Sequence, residues 1–280
     1  MKRLIGLAAL LATTSAFGIT GNWIEDTEHP YVGLIVFYRA DGTFMQRCSG
    51  ALISPTKFVT AGHCVDAAAG VVSARVYFQQ DAGVNFNPNT GVDPVTGYPE
   101  TCAGNTLGTL CATSSSLHNY GFDNFVSFPD THDAGVVILD QPITLPKYGQ
   151  LPTAGALESV ARGRKNTLFT VSGYGMTLRV NVHTKLSNVS FRERLMAQSS
   201  LIDFDRNQWT GGYSLQTQGN GDSRGGTCSG DSGGPILLGG ASSNTIVAVT
   251  SFVLNELCRG TNFGYRIDRQ EVLNWINSIN

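Results

Sequence analysis

The chain has 280 residues, is 41% hydrophobic and carries a formal net charge of −2. That length and apolar content support one large or two modest domains with a sizeable core, and leave no case for disorder, a nucleic-acid partner or a polybasic membrane anchor. Charged residues make up only 14% and there are 33 glycines, a balance that fits many short strands joined by tight turns.

In chain order, residues 1–18 read as a signal peptide: Lys2 and Arg3, an apolar run over 4–12, then Ser15, Ala16 and Gly18. The run is too short to span a bilayer, so the mature chain is expected outside the cell, where disulfides persist. Strands are expected over 31–38, 50–53, 58–60, 71–78, 134–139, 167–171, 235–238 and 245–253, each short, β-branched or aromatic and bounded by turn residues. Residues 81–128 are rich in Asn, Gly, Thr and Ser, include Cys102 and Cys111, and read as a long surface excursion. Residues 141–161, with Pro142, Pro146 and Pro152, read as a linker. It separates an N-terminal domain, 19–145, from a C-terminal domain, 146–280. Near the end, Val272, Leu273, Trp275 and Ile276 have helical spacing behind Asp268, a candidate N-cap.

The six cysteines are Cys48, Cys64, Cys102, Cys111, Cys228 and Cys258, and their number alone leaves the connectivity open. No Cys-x-x-Cys pair exists and histidine is scarce, so no metal site and no cofactor is expected. Asp81, Asn85 and Asn87 are oxygen donors without the spacing of a calcium loop. Asn188-Val189-Ser190 is a glycosylation sequon only in a host that glycosylates.

Three stretches carry chemistry. Gly230-Asp231-Ser232-Gly233-Gly234-Pro235 surrounds a serine with glycines, which let the chain turn sharply and aim successive amides one way. A serine hydroxyl is a weak nucleophile and needs a neighbouring base. Thr60-Ala61-Gly62-His63-Cys64 supplies a histidine beside a cysteine that can pin it. His132-Asp133-Ala134-Gly135 opens an apolar strand with an aspartate of the kind that orients an imidazole.

Together, and in the order His, Asp, Ser, these stretches resemble the chymotrypsin-like (trypsin-fold) serine peptidase family. Ser172-Gly173-Tyr174-Gly175, Val249 through Val253 and the Trp275 helix extend the likeness over nearly the whole mature chain. The resemblance implies an all-β fold of two antiparallel six-stranded Greek-key β-barrels with a short C-terminal α-helix. The first barrel would carry His63 and Asp133, the second Ser232. It implies a serine endopeptidase that works through an acyl-enzyme, with Ser232 as nucleophile, His63 as base and then acid, and Asp133 orienting His63. The backbone N–H groups of Gly230 and Ser232 would form the oxyanion hole, and Ser251, Phe252 and Val253 would pair with substrate. It also implies the disulfides Cys48–Cys64 and Cys228–Cys258, which leaves Cys102 with Cys111.

The family's pocket base falls at Gly226, followed by Thr227, with Val253 and Phe263 as bulky walls. An uncharged base resembles elastase-type pockets; Asp222 is an acid out of register. Activation in the family pairs a freed N-terminal ammonium with the aspartate before the nucleophile, here Ile19 with Asp231. The expected partners are protein or peptide substrates, with no nucleic acid, no membrane after signal removal, and a monomeric state. The rival function is a binding module that has lost catalysis, but such proteins usually show a broken triad, and this sequence does not.

Overall fold

The computed structural model describes residues 19–82, 102, 104–105, 110–160, 167–179, 187–189, 193–219, 224–254, 258 and 260–280. The expected signal segment 1–18, Asn85, Asn87, Ser190 and Asp222 lie outside the described residues. Two short strands come first, β1 (Thr20–Gly21) and β2 (Trp23–Glu25). There follow β3 (Val32–Tyr38), β4 (Phe44–Leu52), β5 (Lys57–Thr60), β6 (Ser73–Tyr77), β7 (Cys111–Ser114), β8 (Ser116–Asn119) and β9 (Gly135–Ile138). The second half holds β10 (Leu168–Gly173), β11 (Thr177–Arg179), β12 (Ser187–Val189), β13 (Leu195–Asp203), β14 (Ser214–Gln218), β15 (Gly225–Gly226), β16 (Pro235–Leu238), β17 (Ile246–Val253) and β18 (Thr261–Arg266). Helix α1 (Gln270–Ser278) ends the chain.

The first sheet runs β7-β6-β3-β4-β5-β9-β8. Only Ser115 separates β7 from β8, so they are one strand bent at that residue, pairing with β6 on one side and β9 on the other. The bend closes a six-stranded barrel and removes the open edges a flat sheet would leave. Ser114 secures it by donating Oγ to the Ile138 carbonyl at 2.6 Å. Residues 111–119 are therefore barrel wall and not the surface excursion that their polarity suggests. The second sheet runs β10-β16-β17-β18-β14-β13-β2, and a β10–β13 pairing closes six of these strands, with β2 added outside β13. The chain's first two strands thus pair with the second half, β1 with β15 and β2 with β13.

β3 is buried at all seven residues, as its unbroken apolar run requires, and anchors the larger core with Phe58, Tyr77 and Val137. A second core gathers Ile19, Phe169, Val171, Leu215 and Ile236 inside the other barrel. A buried polar node ties the N-terminal segment to both. The Asp26 carboxylate lies 2.9 Å from His29 Nδ1 and accepts the Ser172 hydroxyl. Arg194 donates to the carbonyls of Asp26, Val32 and Phe78 and to the Tyr174 hydroxyl. Buried charges persist only with such partners.

Asp268 does not cap α1, whose N-cap is Arg269. Its carboxylate is spent on the buried Arg266 guanidinium and on the Leu157 N–H at 2.8 Å, fastening the segment 141–161 to the second barrel. Gln150, in the same segment, bridges to Thr245.

Candidate active site

His63 sits in a short 3-10 turn over Gly62–Val65, directly after β5, and Asp133 stands just ahead of β9, the neighbour of β5. The pairing of these strands brings together residues 70 positions apart. His63 Nδ1 lies 2.9 Å from Asp133 Oδ2, and the His63 backbone N–H donates to Oδ1 at 2.8 Å. Asp133 is fully buried, whereas the His63 side chain keeps 23% exposure, so the ring is held at its rear and open at its front. Burial opposes charge on both groups. Even so, Asp133's charge and hydrogen bond hold the His63 pKa above 6.5. Likewise, His63 and the hydrogen bonds from Ser251 and the His63 backbone outweigh burial and hold Asp133 below its ordinary range.

Ser251 donates its hydroxyl to Asp133 Oδ2. It can do so because β17 carries a bulge between Thr250 and Phe252, and Ser251 is the residue the register skips. Pairing with the Gly233–Gly234 turn ends at Thr250, through Thr250 N to Gly234 O at 2.9 Å. Residues 251–253 run on past that point, leaving one strand edge beside the serine loop.

β4 holds the backbone of Ser232 against the turn that carries His63 and Cys64. The Ser49 N–H donates to the Ser232 carbonyl at 2.8 Å, and Cys64 Sγ lies 3.8 Å from that same oxygen. Ser49 Oγ donates to the Gly230 carbonyl at 2.9 Å and accepts the Tyr174 N–H at 2.9 Å. Gly233 has φ +79°, and a Cβ there would lie 2.0 Å from Thr60 Oγ1, so the turn after Ser232 requires glycine. Asp231 N donates back to the Cys228 carbonyl. Among the described residues the backbone N–H groups of Gly230 and Ser232, on either side of it, have no acceptor within the protein.

Asp231 is fully buried, and its carboxylate accepts the N–H groups of Cys228 and Gly175, each at 2.8 Å. Burial outweighs these two bonds and pushes its pKa up to about 7. Gly173 and Gly175 make room for it, since a Cβ at either would come within 2.5 Å of the carboxylate. This is the structural work of Ser172-Gly173-Tyr174-Gly175. Ile19 is buried in the second core and is joined to Gly18, so its nitrogen is an uncharged amide here.

Cys48 is bonded to Cys64, Cys102 to Cys111, and Cys228 to Cys258. The first bond also settles the chemistry of a Cys48–His63–Cys64 cluster: neither sulfur is a thiolate, and His63 Nδ1 is committed to Asp133, so the cluster offers a metal no tetrahedral set. Gly226 ends β15, Thr227 follows it one residue before the disulfide-bonded Cys228, and Val253 ends β17. Phe263 stacks on Phe252 at 4.5 Å between centroids and 6° between planes, while its neighbour Asn262 is the side chain that meets Gly226.

Sequence reasoning passed over Ser49 and Asn262, and also an aromatic surface beside His63. Phe122 lies 5.7 Å from the His63 ring, Phe125 touches both Phe122 and Phe252, and Trp209 reaches Phe263 and the part-exposed Phe128.

Two closed β-barrels, a buried aspartate behind a half-open histidine and a serine in a glycine turn beside it define a trypsin-fold serine peptidase. The family model described as Trypsin matches residues 19–276. The chain is 26% identical over 248 residues to chymotrypsin-like elastase family member 1 of Canis lupus familiaris, covering 86% of this chain and 84% of that one. It is 30% identical over 214 residues to brachyurin of Leptuca pugilator, covering 74% and 76%. The solved structure of HL collagenase superposes with a TM-score of 0.61 over 94% of this chain and 96% of that one, at 20% identity. The chain belongs to the Trypsin family: it is a serine-type endopeptidase, a hydrolase whose substrates are proteins or peptides.

Proposed function

We propose that Ser232, His63 and Asp133 carry the hydrolysis and that the primary specificity pocket is neutral. The observation that carries this reading is the His63–Asp133 pair. With Nδ1 given to a buried carboxylate, the imidazole has Nε2 left to take the Ser232 proton and return it to the leaving amine. Ser232 attacks the scissile carbonyl, and the acceptor-free N–H groups of Gly230 and Ser232 receive the developing oxyanion. The open edge of 251–253 pairs with the substrate backbone as an added strand. The aromatic surface of Phe122, Phe125 and Phe252 gives apolar residues on the acyl side a place to rest. Water then releases the acyl group from Ser232.

With Gly226 at the base of the pocket and Val253 on its wall, the pocket is elastase-like. It accepts small or medium uncharged side chains and rejects Lys and Arg, whose heads would be buried unpaired. The enzyme acts as a secreted protein: residues 1–18 have signal-peptide character, and the cysteines are in disulfides. Activation frees Ile19, whose ammonium then pairs with Asp231.

The test is Ser232→Ala. The variant should be exported and folded, yet lose hydrolysis of denatured casein by orders of magnitude. Retention of more than a few per cent of the activity would overturn the assignment.

A further inference from the structure

Asn262 lies on β18, paired across the sheet with Thr217 on β14 and Val253 on β17. Antiparallel partners share a face, so Asn262 faces the same way as Val253, while Phe263 faces the other way with Phe252. Asn262 is 2% exposed. Its amide orientation is fixed by its neighbours. The Thr227 N–H lies 3.0 Å from Oδ1 and the Thr227 hydroxyl 3.3 Å from it, and a backbone N–H demands an acceptor. Nδ2 therefore points elsewhere, and among the described residues it has no hydrogen-bond partner. It lies 2.6 Å from where a Cβ of Gly226 would stand, and equally close to that of Gly219. The two glycines leave the space that the carboxamide fills. Among the described residues the hydroxyl of Thr217 is also buried without a partner.

A buried amide NH2 without an acceptor is costly, and buried polar groups in native proteins are almost always paired. Gly226, the proposed pocket base, adjoins this NH2, so a substrate side chain seated on it can supply the missing partner. We propose that Asn262 is the specificity-determining residue of the pocket floor, and that its Nδ2 donates to a carboxamide oxygen, so the enzyme prefers Asn or Gln before the cut over aliphatic residues of the same shape. The proposal rests on the reading of Gly226 as the pocket base. A Leu side chain would leave the donor unpaired. Among the described residues, a Lys head would meet a donor and no carboxylate. A Glu carboxylate would give up its water without a cation to balance it. A neutral carboxamide avoids all three penalties.

The experiment is kcat/KM on a peptide anilide series that differs only in the residue before the cut, with Ala, Leu, Asn, Gln, Glu and Lys. Asn and Leu are close isosteres, so their ratio isolates the hydrogen bond. The expected result is Asn or Gln about tenfold above Leu, the size of one neutral hydrogen bond. Asn262→Ala should bring that ratio to about one, and Asn262→Asp, an isostere that keeps the bonds from Thr227, should raise Lys relative to Leu. Leu equal to or above both Asn and Gln in the wild type overturns the proposal, as does an unchanged ratio in the two variants. If Asn262→Ala fails to fold, the wild-type ratio and the Asp variant decide. Casein hydrolysis reports separately on the underlying site. Wild-type digestion that Ser232→Ala abolishes, together with a Leu preference, sinks only the Asn262 proposal. Digestion that survives Ser232→Ala sinks the reading beneath it.

Discussion

Ser49 holds Ser232 by the backbone, its N–H donating to the Ser232 carbonyl at 2.8 Å, and reaches with its hydroxyl to the Gly230 carbonyl two residues earlier. One residue of the first barrel thus fixes the loop that carries the nucleophile in the second. Ser49→Ala keeps the backbone bond but orphans the Gly230 carbonyl and the Tyr174 N–H, which should cost about 1–3 kcal/mol of stability. Because the serine loop loosens, kcat should fall more than KM rises. Equal kcat in variant and wild type, measured on one anilide, would show that the hydroxyl is only structural filler.

Ser251 acts on Asp133 as Asp133 acts on His63. Removing its hydroxyl in Ser251→Ala takes one donor from a fully buried carboxylate. Asp133 then titrates higher and holds the imidazole less firmly. We expect kcat/KM to drop by about tenfold, the worth of one charge-assisted hydrogen bond, with an unchanged circular dichroism spectrum. Asp133→Asn should be far worse, on the order of 10⁴ in turnover by the precedent of the family's own triad rather than by any calculation from this geometry.

The pH dependence follows from His63. Only neutral imidazole accepts the serine proton, and Asp133 keeps the histidine protonated to a pH above 6.5. Activity should therefore be lost as pH falls, with the midpoint of the acid limb of kcat/KM above 6.5. A midpoint below that value in the mature enzyme would mean that burial, and not Asp133, dominates the site.

The proposed Ile19–Asp231 pair would tie activation to stability. In the uncleaved chain its folded-state pKa is about 7 against 3.8 for the ordinary group, so between those values the folded form binds more protons than the unfolded one. Stability must then decline as pH rises through that window. Release of Ile19 supplies an ammonium that favours the carboxylate and should flatten the slope. Thermal melts of uncleaved and mature protein across this range test it, alongside N-terminal sequencing of the active enzyme. Identical slopes, or full activity with Phe17 still attached, would count against the Ile19–Asp231 pair.

What could be read from the sequence was what is local. β3 and β17 show themselves as continuous apolar runs, and His63, Asp133 and Ser232 sit in short motifs whose residue types the chemistry demands. Residues 111–119 escaped because their barrel strand is built from Thr, Ser, His and Asn, half-exposed along much of β8, and no alternation marks it. β13 and β14 hide among Gln, Ser and Thr for the same reason. Ser49 and Asn262 are single polar residues whose roles arise only when the sheets bring them to partners 181 and 35 positions away. Asp268 was misread because a carboxylate just ahead of a helix looks like a cap until the buried Arg266 is seen beside it.

The central claim, that Ser232 is the nucleophile activated by His63, is tested most directly by labelling the active enzyme with a fluorophosphonate and mapping the adduct by peptide mass. The account predicts one adduct per molecule, on Ser232, formed in step with loss of peptidase activity and absent from both Ser232→Ala and His63→Ala. Activity lost with the adduct on another residue, or full activity with Ser232 quantitatively labelled, would contradict it.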